Sequence, residues 1–243
     1  IDAIINRFGR LPEKTVPDLD GVTYATNVFL EEIAVNDLPD LTMLWYGEPD
    51  NTYHAFGIGS QENLQALRHA DAEFGRVLDW WLSKGLYEDI QLLVMSDHAH
   101  ITQQHKISVG DYLTQCGFSV GRHLEDGADM ALIPGYSGNL LVRDHAPDRI
   151  AAVVEALMDI DCMGLVFTRS RNGSAGGVSA TLAMELVLSE HPRSPDIAFV
   201  LAADDRLNSF GYTGTCYFDS EFVPLGGGIH GGLHPLELNC VFM

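Results

Sequence analysis

Ile90-Gln91-Leu92-Leu93-Val94-Met95-Ser96-Asp97-His98 is the stretch on which the fold turns. A short, largely apolar run ends abruptly in three polar side chains. That is how a buried strand delivers functional groups at its C-terminal end. Upstream, residues 61–84 carry apolar side chains at Leu64, Leu67, Phe74, Leu78, Trp81 and Leu82. Steps of mostly three, four and seven predict a helix with one face on a sheet. Gly85 stops it. Further upstream, the apolar run at residues 41–46 predicts another buried strand. Strand, amphipathic helix, strand is the α/β pattern. We therefore expect a mostly parallel sheet flanked by helices.

Outward from this core the pattern continues. Residues 147–159 read as a helix with Pro147 in its first turn. Residues 178–189 read as a third helix, and residues 197–201 as a further buried strand. Residues 117–138 are less regular and glycine-rich, residues 171–177 read as a flexible connection, and residues 117–174 together read as a small inserted cap subdomain. No internal repeat or low-complexity tract interrupts the chain.

The 243 residues supply ample material for a core. Lys and Arg number 14 against 34 Asp and Glu, a net charge of −20. Such a surface argues against docking on a nucleic-acid backbone or an anionic membrane. It leaves room for a small anionic substrate where metal ions invert the local field. The longest unbroken apolar run, Ile197 to Ala203, is far short of the roughly 20 residues of a membrane span. Cys116, Cys162, Cys216 and Cys240 form no Cys-x-x-Cys pair, and read as buried or semi-buried thiols rather than a zinc knuckle.

Three places put Asp or His where an apolar run gives way to a loop. Asp50 and His54 follow the first run, four residues apart. Asp97 and His98 end the second. His230 sits between Gly226-Gly227-Gly228 and Gly231-Gly232, where glycine lets backbone and one side chain approach a site closely. Two carboxylates and three imidazoles are a mixed oxygen and nitrogen set, which suits a catalytic rather than a structural zinc. Mn²⁺ or Fe can occupy the same donors. Other residues read more blandly. His234 is a surface or supporting group, His100 and His105 follow the Asp-His motif where either could line the pocket but read as solvated loop imidazoles, and Glu48 is a solvated acid. Ser96 bonds backbone or a ligand carboxylate rather than acting as a nucleophile, and Trp80 and Trp81 are helix packing.

The order of these motifs resembles the type I phosphodiesterase/nucleotide pyrophosphatase family of the alkaline phosphatase superfamily. Residues 44–54, with Pro49-Asp50 and His54, look like that family's strand followed by Pro-Asp-x-x-x-His. Leu93-Val94-Met95-Ser96-Asp97-His98 looks like its Ser-Asp-His-Gly, with Ala99 in place of the glycine. Gly228-Ile229-His230-Gly231 looks like its C-terminal His-Gly segment. The resemblance runs from about Asp18 to the end.

It implies an alkaline-phosphatase-like fold in which residues 1–243 are the C-terminal part of a single catalytic domain. It implies a metal-dependent hydrolase of phosphoric diesters or nucleotide pyrophosphates that uses two divalent ions. Asp50, His54 and His230 would bind one ion, and Asp97 and His98 the other. No catalytic nucleophile has a counterpart here. The family's Thr or Ser nucleophile and one further Asp ligand are expected upstream. The partners implied are a small phosphate-ester or nucleotide substrate and the missing N-terminal half of the domain. Little turnover is expected from this chain alone. The alternatives are a phosphomonoesterase or phosphonate hydrolase of the same superfamily, or a catalytically silent metal-binding fragment.

Overall fold

The amphipathic stretch after Ser60 forms one continuous helix in the computed structural model, which describes residues 2–36, 38–124 and 127–243. Helices α1 (Asp2–Phe8), α2 (Leu19–Val28) and α3 (Asp50–Phe56) precede this helix, α4 (Gln61–Ser83). The Ser60 side chain accepts the Asn63 N–H at its start, and Gly85 turns left-handed (φ 66°) just beyond its end. The helix lies along α2, where Arg76 bonds Asn27 and Glu73, and Trp80 meets Phe29 edge-on at 5.3 Å. Both tryptophans are packing residues, as expected. Trp81 also donates its indole N–H to the Ile90 carbonyl at 3.0 Å, tying α4 to the run that follows.

Two sheets carry the rest. The first is four-stranded, in the order β10 (Ala203–Leu207), β11 (Thr213–Phe218), β1 (Ile101–Lys106), β12 (Gly228–Ile229). The second is eight-stranded. It contains β2 (Val120–Gly121), β3 (Met130–Ile133), β4 (Ser137–Val142), β9 (Ile197–Leu201), β5 (Met163–Thr168), β8 (Leu182–Ala183), β7 (Ala175–Gly176) and β6 (Ser170–Asn172), in that spatial order. Helices α5 (Val109–Gln115), α6 (Pro147–Met158) and α7 (Pro235–Leu238) complete the set. One contiguous core joins the sheets, built on Ile101, Leu113, Met130, Leu140, Leu157, Phe199 and Cys216. Its apolar side chains alternate along β9 as a strand buried on one face requires: Ile197, Phe199 and Leu201 point inward.

The expected α/β fold, sheet flanked by helices, is present. Its ladders are mixed rather than mostly parallel. β1 with β11, β2 with β3 and β5 with β8 run parallel, and the remaining named pairs run antiparallel. Short connections such as that from β3 to β4 permit only antiparallel return. Helix α6 and strand β9 match their expected places. Residues 178–189 do not form a helix. They hold β8 and a short 3₁₀ turn (Met184–Val187), because Thr181 to Ala183 are drawn into the sheet edge by β5 and β7. Residues 117–174 hold α6 and five strands of the eight-stranded sheet, which runs on to Leu201. All four cysteines are unpaired; Cys162 and Cys216 are buried, whereas Cys116 and Cys240 are exposed.

The two apolar runs that first suggested a sheet are not buried. Among the described residues, 41–46 form no ladder, and Leu41, Met43 and Trp45 face outward, Trp45 with 63% exposure. Residues 90–95 make strand-like pairings only at their end. Val94 exchanges two backbone hydrogen bonds with Met243, and Met95 bridges Phe242. Leu93 stays 59% exposed. A strand is buried by its neighbours, and these runs have almost none.

Candidate metal centre

Helix α3 supplies the first two groups. Asp50 opens it and His54 follows one turn later, so both lie on one face. The helix start is anchored by Glu48, which is only 4% exposed. One carboxylate oxygen accepts the Asp18 N–H at 2.9 Å; the other accepts the Thr52 N–H at 3.1 Å and the Thr52 hydroxyl. Glu48 is thus a buried brace, not the solvated acid its sequence position suggested. Its burial fixes the turn that aims Asp50.

The glycine loop meets α3 from the other side. A Cβ on Gly227 would overlap the His54 carbonyl oxygen, and one on Gly228 would sit 3.0 Å from the Tyr53 Cβ. Only glycine allows this approach. The loop is also laced to β1. Gln103 accepts from Gly226 and donates to Gly227, and β12 pairs Ile229 with Ile101. The run 97–100 enters β1 beside this pairing. Asp97, His98 and His100 therefore arrive from one segment, His230 from the next, and Asp50 with His54 from α3.

Four imidazoles converge on one oxygen. The Asp50 Oδ1 lies 3.0 Å from Nε2 of His100, 3.3 Å from Nε2 of His54, 3.7 Å from Nε2 of His230 and 4.0 Å from Nε2 of His98. Asp50, His98, His100 and His230 each present a ligand atom within 4.8 Å of the others. Asp97 stands one step out. Its Oδ2 is 3.4 Å from His98 Nε2, and its Oδ1 accepts the His98 backbone N–H. All five residues singled out from the sequence are thus gathered: Asp50, His98 and His230 in that group, His54 beside it at 3.3 Å from Asp50, and Asp97 at its edge through His98. Ser96 accepts the Val241 N–H, a backbone contact as expected, and His234 caps α7.

His100 was misread from the sequence. Its side chain is 5% exposed and its ring lies against Tyr53 at 4.6 Å. The signal was present: His98 and His100 are two apart in the run leading into β1, a spacing that returns side chains to one side. His105, the other imidazole taken as solvated, packs on Tyr217 with its Nε2 buried and unpartnered.

The electrostatics favour a cation. Hydrogen bonding to His100 and then His54 holds the Asp50 carboxyl well below the usual carboxylate range. The Asp50 partner raises His54. Burial lowers His100 despite its contact with Asp50, and burial with three neighbouring imidazoles pushes His230 down to about 4. The His54 Nδ1–H must donate to the Gly228 carbonyl at 2.7 Å, since a carbonyl only accepts. A neutral His54 therefore turns the bare lone pair of Nε2 toward the Asp50 oxygen. Lone pairs facing one another at such distances need a proton or a metal ion between them, and the residues present fit the latter.

The pattern of the type I phosphodiesterase/nucleotide pyrophosphatase family matches residues 11–215. The chain belongs to this family. Matched residues include Asp50, His54, Asp97 and His98; His230 lies beyond them and joins the group through the fold. Among curated relatives, venom phosphodiesterase of Macrovipera lebetinus is 35% identical over 60 residues, 25% of this chain and 7% of that protein. Ectonucleotide pyrophosphatase/phosphodiesterase family member 7 of Mus musculus is 34% identical over 80 residues, 33% of this chain and 17% of that protein. Among solved structures, murine ectonucleotide pyrophosphatase/phosphodiesterase 5, in an inactive variant complexed with AMP, superposes with a TM-score of 0.58 at 17% identity, covering 92% of this chain and 50% of that one. The human counterpart gives 0.57 at 16% identity, covering 95% and 52%. This family member thus spans about half the length of its solved structural relatives, and its fold is theirs.

Proposed function

We propose that this family member forms the metal-binding part of a hydrolase acting on phosphoric diesters or nucleotide pyrophosphates. The observation that carries the reading is the convergence of imidazole nitrogens on one Asp50 oxygen, in a chain whose motifs follow the family's order. Asp50, His54 and His230 hold one divalent ion, and Asp97 with His98 contributes to a second; Zn²⁺ suits the oxygen and nitrogen donors best. Bound there, such ions polarise a phosphoryl oxygen and stabilise the attacking and leaving oxygens.

The chain's own residues prepare that chemistry. Glu48 fixes the start of α3, so Asp50 presents its charge without reorganising. Gly228 holds His54 in the tautomer whose Nε2 is free. The low proton affinity of His230 keeps its ring available near neutral pH. The nucleophilic Thr or Ser and the remaining Asp ligand come from outside this chain. In the same reading that N-terminal half is its partner, and the region around 117–174 caps the pocket.

Metal analysis of the purified full chain tests the reading, with Asp50→Ala and His230→Ala measured beside it. We expect at least one divalent ion per wild-type chain and loss in each variant. Equal metal content in all three samples would remove the site.

A further inference from the structure

Among the imidazoles around Asp50, His100 stands outside every motif that assigns a ligand. Yet it is the most buried of them, and the one nearest the carboxylate oxygen. Its geometry bears comparison with a coordination sphere. Four ligand atoms about 2.0–2.1 Å from a zinc ion lie about 3.3 Å from each other, and imidazole rings bound to it stand roughly 5 Å apart centre to centre. The rings of His54, His100 and His230 are 5.2, 5.1 and 5.0 Å apart pairwise, with interplanar angles of 74°, 49° and 79°. They form a nearly equilateral triangle with the Asp50 oxygen 3.0–3.7 Å from all three Nε2 atoms.

His98 does not fit the same sphere. Its ring stacks on that of His230 at 3.5 Å and 13°. A nitrogen lone pair lies in the plane of its ring. Two nearly parallel planes a stacking distance apart cannot both contain one ion. His98 therefore belongs with Asp97, whose Oδ2 is 3.4 Å from its Nε2.

We propose that His100 is a direct metal ligand, completing with Asp50, His54 and His230 a four-ligand Asp-His₃ centre in this chain. This rests on the hydrolase reading above and adds a ligand to it. The centre draws all four donors from α3, the run into β1 and the loop after β12, so this chain holds one ion by itself. Four protein ligands leave a substrate oxygen to enter as a fifth, and set this ion apart from one held by three. The competing role is that of a positioning residue, His100 donating Nε2–H to Asp50 without touching the ion.

Loss of affinity does not separate the two roles, because removing an outer partner alone costs about 10–100-fold. Counting imidazoles does. The full chain is loaded with one equivalent of Zn²⁺ and examined by X-ray absorption, beside His100→Gln, which keeps an N–H donor for Asp50. The imidazole count is expected to fall by one in the variant. A Co²⁺-loaded His100→Cys chain is expected to gain a sulfur-to-cobalt charge-transfer band, a readout independent of how well His100→Gln folds. An unchanged imidazole count, or no such band in the folded Cys variant, overturns the ligand role and leaves the hydrolase reading standing. Failure of the wild-type chain to bind any ion, or binding unaltered in Asp50→Asn, overturns the hydrolase reading itself.

Discussion

His54 and His230 share one carboxylate neighbour and titrate in opposite senses. His230 is held neutral by burial and by the imidazoles beside it, with its value pushed down to about 4 from an ordinary 6.5. In the metal-free protein the unfolded chain takes up this proton first, so stability falls as pH drops from about 6.5 toward 4. His54 is raised by Asp50. Its contribution is fully present below about 6.5 and fades as pH rises through the elevated value. Unfolding midpoints recorded across pH 4–8 with chelator should lose their acid slope in His230→Gln and lose their decline above about pH 6.5 in His54→Gln. Identical profiles in both variants would count against the arrangement. Glu48 gives a second expectation. Glu48→Ala orphans the Thr52 N–H and hydroxyl and the Asp18 N–H. It should cost about 3 kcal/mol, lowering the melting temperature by about 6–12 °C. Nothing in the sequence around Glu48 distinguished it from a surface acid, because its burial is created by α2 and α3 closing over it.

Individual elements were legible where local patterning suffices. Helix α4 has its cap, its stripe and its stop within one continuous stretch, and strand β9 its apolar alternation. Residues 178–189 misled because their apolar spacing suits a helix while the vacant edges of β5 and β7 offered better pairing. The loop after β11 was legible in a different way: its glycines announced close approach, and the structure supplies the partner, the end of α3. Gly227→Ala forces its new methyl against the His54 carbonyl. We expect a cost of about 1–3 kcal/mol and weaker Zn²⁺ binding, because the loop and α3 carry His230 and His54 apart. A calorimetric Zn²⁺ titration checks this; wild-type affinity in a folded variant would show that the approach is not needed.

At the scale of the whole molecule, apolar side chains from residues 41–46, 90–95 and 241–243 remain on the surface. Exposed apolar runs of this kind mark an interaction surface. The chain by itself should bind a hydrophobic dye such as ANS and self-associate. Trp45→Glu combined with Leu93→Glu should reduce dye fluorescence severalfold and leave metal content unchanged, since neither residue touches the cluster. Undiminished fluorescence would place the sticky surface elsewhere. None of the described helices is long and apolar enough to cross a membrane.

Taken alone, the sequence determined the family and the α/β class and singled out Asp50, His54, Asp97, His98 and His230, because motif order and local periodicity are written in short segments. That these side chains meet around one Asp50 oxygen, with the His100 ring among them, was decided by tertiary structure. Coordination depends on where nitrogen lone pairs point, and ring orientation is set by contacts between α3, the run into β1 and the glycine loop, segments up to 180 residues apart.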